Sequence, residues 1–327
     1  MYRIDNIPIL NYGLTPGRAP GSNIALSGHL DLNARSGKAY HDWGEEEGVE
    51  PYVSEHDLVP QNYERKQVVF YAYITATSRA GIVERMEDLY HDLSLLGEFT
   101  LSSPWGDVTG YVKEKVSVDW LGVNAASVKI VIDGVGNYYN DTDELQPSSS
   151  GLHHIDNVAL SDYGAKVIGV TGNFDRPETK EPYYTNADAP YQVTKPGYKE
   201  FSLELLFYAS TYEAMSTSIG RFNYQLMKTG TRVMNVDGLE RECFNIEGTK
   251  VSNVKVNGSL AVCTVKLPMA LAYDGVPKDT KYLHDHDNIN ITSMSGKFIS
   301  IQEPNVLELT DNKGRKIKTN DYNTLTV

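Results

Sequence analysis

The stretch YLHDHDN, residues 282–288, is the part of the sequence most suggestive of chemistry. It contains His284, Asp285, His286 and Asp287. Alternation along an extended strand would place His284 and His286 on one face, where imidazole nitrogens often bind a transition metal. A third ligand is not evident from the sequence. We therefore interpret the stretch as a polar loop and predict no metal site.

The other arrangements that could carry chemistry are weaker. The run NDTDE, residues 140–144, offers oxygen ligands of the kind that calcium prefers, but it lacks the EF-hand spacing, and we interpret it as a solvated linker. Nothing in the sequence places two carboxylates on facing strands, as glycoside hydrolysis requires. The chain has no GxSxG, P-loop or HExxH motif. We therefore predict neither an enzyme nor a cofactor.

Three tryptophans and two cysteines are further candidates for functional side chains. Trp120 ends an alternating strand, and we predict that it belongs to a core. Trp105 lies in the turn-like stretch PWGD, and Trp43, in HDWGEEEG, is predicted to anchor an interface. Cys243 and Cys263 lie in apolar, strand-like sequence, so we predict buried free thiols.

Composition limits the possible classes of protein. A chain of 327 residues is expected to form about two domains. The net charge of -13 argues against nucleic-acid binding through a basic surface, although it permits a surface that DNA passes without sticking. No apolar run approaches the ~20 residues of a membrane span, and the start MYRIDNIP does not resemble a signal peptide. We expect assembly in a reducing cytoplasm.

One decapeptide occurs twice. IDNIPILNYG spans residues 4–13, and IDNVALSDYG spans residues 155–164. We predict that each copy is a first strand that turns into a long irregular arm, over about 14–66 in the first half and 165–198 in the second. Such arms would bind little surface in a monomer and could wrap neighbouring subunits.

A strand and a helix follow each arm. The strands are predicted at Gln67–Thr75 and Phe201–Ala209, and both contain the tripeptide FYA, which we take as a second anchor of the repeat. Apolar residues at helical spacing predict one helix ending at Gly97 and another ending at Gly230. An SxxE capping box at Ser210 is predicted to start the second helix.

Short strands complete each half, and Asn257-Gly258 predicts a hairpin rather than a glycosylated sequon. The recurrence of opener, arm, strand, helix and sheet in one order indicates a tandem duplication. The polar stretch NYYNDTDELQPSSSG marks the joint. We predict a first repeat at 1–137, a linker at 138–152, a second repeat at 153–276, and a β-rich extension at 277–327.

The repeated unit resembles the tube-forming domain of phage tail proteins, and above all the N-terminal domain of the distal tail (Dit) family. The resemblance rests on YRIDNIPILNYG, then ERKQVVFYAYITATSRAGIVERMEDLYHDLSLLGEFTL, then TGYVKEKVSVDW. It covers residues 2–135 well and 153–275 less closely. It implies a mainly β (α+β) fold, in which two tandem β-sandwich or split-barrel domains each carry one flanking helix.

The resemblance also implies a function. In such families, sheets from several copies join into a ring around the channel that DNA traverses. This chain departs from the distal tail pattern, because a second tube-like copy replaces the unrelated C-terminal domain. Trimeric tail hub proteins and some tube proteins carry two such domains, so either three chains in a pseudo-sixfold ring or six chains would fit.

We therefore expect a structural component of a phage or prophage tail, located in the virion tail after assembly in the host bacterial cytoplasm. It would connect the tail tube to the tip at the baseplate, contact tube, hub and baseplate proteins, and let DNA pass without specific binding. A carbohydrate-binding or adhesive β-protein, suggested by 22 tyrosines and three tryptophans, is the alternative.

Overall fold

The computed structural model describes residues 1–36, 40–41, 52–53, 58–112, 116–136, 144–148, 151–172, 179–183, 191–195, 199–272, 281–282 and 300–301. Over these ranges the chain is mainly β, with two large antiparallel sheets and two α-helices. The predicted fold class is confirmed. Both sheets lie in one compact unit, and the strands at 179–183, 191–195, 281–282 and 300–301 belong to a second unit.

The first half forms one sheet and one helix. Its sheet has the strand order β2-β1-β8-β9-β11-β7-β3, with β10 beside β11 and β4 beside β7, while β5 and β6 pair separately. In chain order the elements are β1 (Arg3–Ile4), β2 (Ile7–Pro8), β3 (Leu14–Pro16), β4 (Leu26–Ser27), β5 (Tyr40–His41), β6 (Tyr52–Val53), β7 (Lys66–Thr75), α1 (Arg79–Leu96), β8 (Phe99–Ser102), β9 (Val108–Val112), β10 (Ser117–Trp120) and β11 (Ala125–Val135).

The second half repeats this plan. Its sheet has the order β13-β12-β18-β19-β21-β17-β14, with β20 beside β21, so every strand has a counterpart in the first sheet. This shared order is what a tandem duplication produces. The elements are β12 (His154–Ile155), β13 (Val158–Ala159), β14 (Ala165–Thr171), β15 (Thr179–Tyr183), β16 (Tyr191–Lys195), β17 (Glu200–Ala209), α2 (Tyr212–Met227), β18 (Arg232–Val236), β19 (Leu239–Phe244), β20 (Lys250–Asn257), β21 (Leu260–Leu271), β22 (Lys281–Tyr282) and β23 (Ser300–Ile301).

The repeated decapeptide forms a hairpin and a 3-10 turn, so the prediction of a single strand was wrong. Asp5 and Asn6 have φ of 43° and 71°, and Asp156 and Asn157 have 47° and 66°. Left-handed backbone at both central positions defines the tight turn that fits a two-residue hairpin, and Asp and Asn tolerate it. A 3-10 helix follows in each copy and ends at a left-handed glycine, Gly13 or Gly164.

The repeated aspartate fastens each hairpin to the next strand. The Asp5 carboxylate accepts a hydrogen bond from the Thr100 amide at 2.7 Å, and Asp156 accepts one from Val233 at 2.7 Å. Asp156 also accepts hydrogen bonds from Arg232 at 2.8 Å and from Gln225 at 2.6 Å. The repeated decapeptide therefore carries an aspartate that holds its hairpin to the neighbouring strand of the same sheet.

The two FYA tripeptides do not occupy equivalent positions in the two sheets, so the prediction that they mark the repeat was wrong. Leu14, directly after the opener, pairs with Ile74, and its counterpart Ala165 pairs with Phe207. Phe207 therefore corresponds to Ile74 and not to Phe70. The tripeptide matches in letters because both strands alternate buried and exposed residues along most of their length.

Both predicted helices are present. α1 starts at the cap Ser78, whose hydroxyl accepts a hydrogen bond from the Gly81 amide at 3.2 Å, and it ends before Gly97 as predicted. It buries Ile82, Met86, Leu89 and Leu93 against the first sheet. The helical spacing of the apolar residues is therefore the signal that places α1.

The predicted ends of α2 need correction. The cap is Thr211 and not Ser210, because the Thr211 hydroxyl accepts the hydrogen bond from the Ala214 amide at 3.1 Å. Adjacent hydroxyl residues can both cap, so the SxxE pattern did not decide between them. The helix ends at Met227, before Gly230, whose amide instead donates to the Leu58 carbonyl at 2.9 Å.

The hairpin near Asn257 is confirmed with a shift of one residue. Asn257 pairs with Leu260, so Gly258 and Ser259 form the turn. Gly258 has φ of 54°, a conformation that glycine adopts without strain at the first position of such a loop. The two cysteines are buried free thiols, as predicted.

We expect Asp156→Ala to lower the free energy of unfolding by about 3 kcal/mol, because it leaves the nearly buried Arg232 guanidinium without its carboxylate. Chemical denaturation followed by circular dichroism measures this change. Asp162→Ala, on the exposed side of the following 3-10 turn, is the matched control and should change stability by less than about 0.5 kcal/mol. Equal effects of the two substitutions would contradict the assigned role of Asp156.

Candidate assembly interface

The long arm of the first repeat lies against the second repeat of the same chain. Its described segments, residues 17–36 and 58–65, make hydrogen bonds to residues between 212 and 256. We expected the arm to bind little surface within one chain, and for these segments the expectation was wrong. We call this contact the arm interface.

Apolar residues of the arm complete the core of the second repeat. Ile24, Leu30, Leu32 and Tyr63 are buried in one cluster with the inward residues of the second sheet and α2. Full burial of a leucine or isoleucine contributes about 1.5–3 kcal/mol. These residues of the arm are therefore part of the second core.

The centre of the arm interface is a short backbone pairing. The Thr249 amide donates to the Leu32 carbonyl at 2.7 Å, and the Leu32 amide donates to the Thr249 hydroxyl at 3.0 Å. The Thr249 hydroxyl donates in turn to the Asn223 side-chain oxygen at 3.2 Å, and the Asn223 side chain donates to the Leu30 carbonyl at 3.0 Å. These polar groups are buried, so their mutual hydrogen bonds are required for stability.

A second set of hydrogen bonds covers the outer edge of β20. The Asn23 amide donates to the Val254 carbonyl at 3.0 Å, and the Val254 amide donates to the Ser22 hydroxyl at 3.0 Å. The Asn23 side chain bonds both the amide and the carbonyl of Val256, at 2.9 Å and 2.7 Å. Among the described strands β20 pairs only with β21, so the arm satisfies an edge that would otherwise be open.

Arg35 fixes the end of the first arm segment. Its side chain donates to the Asn245 carbonyl at 2.9 Å and to the Val59 carbonyl at 2.9 Å, and its guanidinium lies 4.0 Å from the centre of the Tyr63 ring. Burial lowers the pKa of Arg35 and raises the pKa of Tyr63 to about 12. The phenol therefore stays neutral, and it donates to the Leu226 carbonyl at 3.3 Å.

A series of contacts between aromatic side chains connects the two repeats beside β4. His29 shares a hydrogen bond with the Tyr212 hydroxyl, and Tyr212 meets the edge of Trp105 with ring centres 4.9 Å apart. The Trp105 indole donates to the Tyr2 hydroxyl at 2.8 Å. Trp105 lies in a turn, as predicted, and it serves as a packing residue of this junction.

The structure corrects one tryptophan prediction. Trp120 ends β10 but is 38% exposed, with the Arg79 guanidinium 4.2 Å from its ring centre. We expected a core position because the strand alternates, but β10 lies at an edge of the sheet. Trp43, the predicted interface anchor, lies outside the described residues.

The two candidate metal-binding stretches, residues 282–288 and 140–144, lie mostly outside the described residues and stay predictions. His284, Asp285, His286 and Asp287 lie outside the described residues, as does most of the run 140–144. Glu144 is described, and it forms an ion pair with Lys228. Within the described part of the chain, no group of three or more His, Cys, Asp or Glu residues could hold a metal ion.

The thiols of Cys243 and Cys263 are buried in the second core, where they pack against apolar side chains. Burial raises the pKa of the Cys263 thiol to about 12 and also raises that of Cys243. A thiol with such a pKa is protonated at neutral pH and reacts slowly. The two cysteines therefore behave as small apolar residues of the second core.

The sequence contained a signal for the arm interface that we did not use. Ile24, Leu26, Leu30 and Leu32 occur at even spacings inside a stretch predicted to be irregular, but they do not share one face, because Leu26 is buried in the core of the first repeat and the other three in the core of the second. The useful signal is that large apolar residues occur in the arm at all, since a solvated loop is typically polar. The polar contacts of Ser22, Asn23 and Arg35 had no such signal, because their partners lie more than 200 positions away.

Comparison with known proteins gives no family assignment. No protein-family model matches the chain, and no curated protein matches it. Among the described residues, neither helix is long and apolar enough to cross a membrane.

We expect Gly248→Ala to weaken the arm interface specifically. A Cβ at Gly248 would collide with the carbonyl oxygens of Leu32 and Asn33. Gly238 has a similar φ, 79° against 74°, but a Cβ there meets open space. Both substitutions should cost about 1–2 kcal/mol of backbone strain, and Gly248→Ala should cost about 2 kcal/mol more from the collision.

Chemical denaturation of the two glycine variants measures the difference. Amide hydrogen exchange at Leu32 and Thr249 should also become faster in Gly248→Ala and stay unchanged in Gly238→Ala. Equal stability of the two variants would show that the arm moves aside freely.

Acid should destabilise the protein through His29. Burial, together with the nearby Lys66 charge, lowers the pKa of His29 to about 3. Its Nδ1 is buried and has no hydrogen-bond partner among the described residues, although the residue as a whole is partly exposed. Because the unfolded chain binds this proton near pH 6.5 and the folded chain near pH 3, stability falls as the pH decreases between those values.

We expect the wild-type protein to lose about 1–2 kcal/mol more than His29→Gln between pH 7 and pH 4.5, after allowing for partial exposure of the ring. Glutamine keeps a group that can hydrogen-bond the Tyr212 hydroxyl but does not titrate. Urea denaturation across this pH range gives both curves, and parallel curves would contradict the assignment.

Proposed function

We propose that the chain is a structural component of a phage or prophage tail. It forms a homo-oligomeric ring at the distal tail or baseplate, connects the tail tube to the tip, and lets DNA pass without specific binding. Its partners are further copies of itself and the tube, hub and baseplate proteins that stack on the ring. The resemblance of the repeat to tail-tube domains motivates this proposal.

The observation that carries the proposal is the way in which the two sheets meet. The arm beside β3 and β4 of the first sheet covers the outer edge of β20 in the second sheet. Two homologous units thus lie side by side, edge against edge, in a single chain. Repetition of such a lateral contact around an axis builds a ring, and a closed ring leaves no open sheet edge.

The charge of the chain supports the second part of the proposal. A net charge of -13 repels a polyanion, and a channel that passes DNA must not retain it. The charge also separates the proposed role from that of a DNA-binding protein, which needs cationic contacts to phosphate.

One observation favours the alternative of a carbohydrate-binding or adhesive protein. Trp120 presents a partly exposed indole at the end of β10, and exposed aromatic rings can stack on sugars. A glycan array distinguishes the two functions, since binding that is lost in Trp120→Ala would favour the alternative.

Native mass spectrometry and electron microscopy of the full chain test the proposed function. The chain should be measured alone at increasing concentration and together with the tail proteins encoded beside it. We expect a closed ring of three or six chains with an open central channel. A chain that stays monomeric in the presence of those tail proteins would overturn the proposal.

A control addresses the channel. Addition of double-stranded DNA to the assembled ring at physiological salt should give no sequence-dependent shift in gel mobility. Tight binding of DNA would contradict a channel that only passes it.

A further inference from the structure

The edge strand beside β7 is interrupted by a loop in the first repeat, whereas its counterpart β14 in the second repeat has only a bulge. Thr15 and Pro16 of β3 pair with β7. Lys166 and Val167 of β14 pair with β17 at the equivalent positions. Pairing resumes at Leu26 in the first repeat and at Gly169 in the second. Ile168, at a bulge in β14, therefore stands where the first repeat inserts the loop 17–24.

That inserted loop makes the edge contact of the arm interface. Ser22 and Asn23, which bind the outer edge of β20, both lie in it. The second repeat has an exposed side chain at the equivalent place, since Ile168 is 49% exposed. The edge of β14 is therefore the counterpart of a surface that is already known to meet another repeat.

The first repeat carries the complementary surface. β10 is the counterpart of β20, and among the described strands it pairs with β11 alone. The β10 edge and the loop that follows expose Trp120, Leu121 and Val123, at 38%, 62% and 71%. One chain thus carries both a β14 edge and a β10 edge, which are the counterparts of the β3–β4 edge and the β20 edge that meet within the chain.

We propose that the β14 edge of one copy docks on the β10 edge of a second copy of this chain. Ile168 packs against Trp120, Leu121 and Val123, so an apolar contact replaces the polar contact that Asn23 makes within the chain. Lys166 on β14 and Asp119 on β10 are both exposed and bring opposite charges to the two edges. The proposal rests on the proposed ring, and it names the surfaces that close it.

The contact is heterologous, because two different surfaces of the chain meet. Successive copies then add in one direction, and such a chain of contacts either closes into a ring or continues as a filament. A contact between two β14 edges or two β10 edges would instead end at a dimer. The internal arm interface is the physical argument for the heterologous arrangement, since it joins the equivalent pair of edges.

Disulfide trapping tests the contact, because the native cysteines are both buried. We would mix an Ile168→Cys chain with a Leu121→Cys chain under mild oxidation and follow covalent dimers on a denaturing gel. A mixture of Ile168→Cys with Leu95→Cys is the matched control, since Leu95 on α1 is 72% exposed and lies in neither edge. We expect the first pair to link about tenfold faster than the control or more, because docking raises the effective thiol concentration.

Each outcome decides the proposal. Linking of the mixed pair above the control supports it, and a chain carrying both substitutions should then give a ladder that ends at the ring size. Efficient linking of Ile168→Cys with itself would indicate a symmetric contact and overturn it. Rings seen by electron microscopy without mixed linking would overturn this interface and leave the proposed function standing, whereas neither rings nor links would overturn both.

A charged substitution gives a second readout that does not depend on thiol chemistry. Ile168→Asp should leave the circular dichroism spectrum and the thermal midpoint unchanged, because the side chain is exposed, and it should abolish ring assembly. Ile168→Leu is its control and should still assemble. Rings formed equally well by Ile168→Asp would overturn the contact.

Discussion

The second repeat depends on apolar residues that the first repeat supplies. Leu30 and Leu32 lie in the same buried cluster as α2 and the second sheet, and Thr249 fixes them by pairing with the backbone of Leu32. If the arm were removed, the second core would be open to water and Asn223 and Thr249 would lose buried hydrogen bonds. The position of each sheet relative to the other within this unit follows from that shared core.

The duplication kept some interactions and changed others. The aspartate that fastens the opening hairpin is present in both copies, where it tolerates the left-handed turn and accepts a hydrogen bond from the next strand. The edge beside β3 and β14 diverged, with a loop in one copy and Ile168 in the other. The kept feature maintains each sheet, whereas the loop found only in the first copy makes the contact with the second repeat.

Much of the fold followed from the sequence, because local patterns determine local structure. Helical spacing placed α1, alternation placed β7 and β17, and turn chemistry placed the hairpin before Leu260. The FYA match was misleading because two strands with the same alternating pattern can share a tripeptide at positions that are not equivalent. Trp120 was misplaced because alternation gives the face of a strand but does not say whether the strand is at an edge.

The arm interface could not be predicted in the same way. Its partners are distant in sequence, and Asn23 or Arg35 can be recognised as contact residues only when the facing backbone is known. Even the useful signal, the apolar residues Ile24, Leu30 and Leu32, indicates burial without identifying the partner. The proposed ring would likewise be a property of several chains, and a single sequence does not show which of its surfaces meet.

The shared core also determines the order in which the chain can fold. Leu32 and Thr249 are separated by 217 positions, so Leu32 leaves the ribosome long before its partner strand exists. During that interval the apolar side of the arm has no place to be buried. The second repeat therefore completes its core only when β20 and β21 have been made, whereas the first core contains residues of the first repeat alone. The long loop that must close makes this step slow. A segment of the first repeat is thus needed to complete the fold of the second.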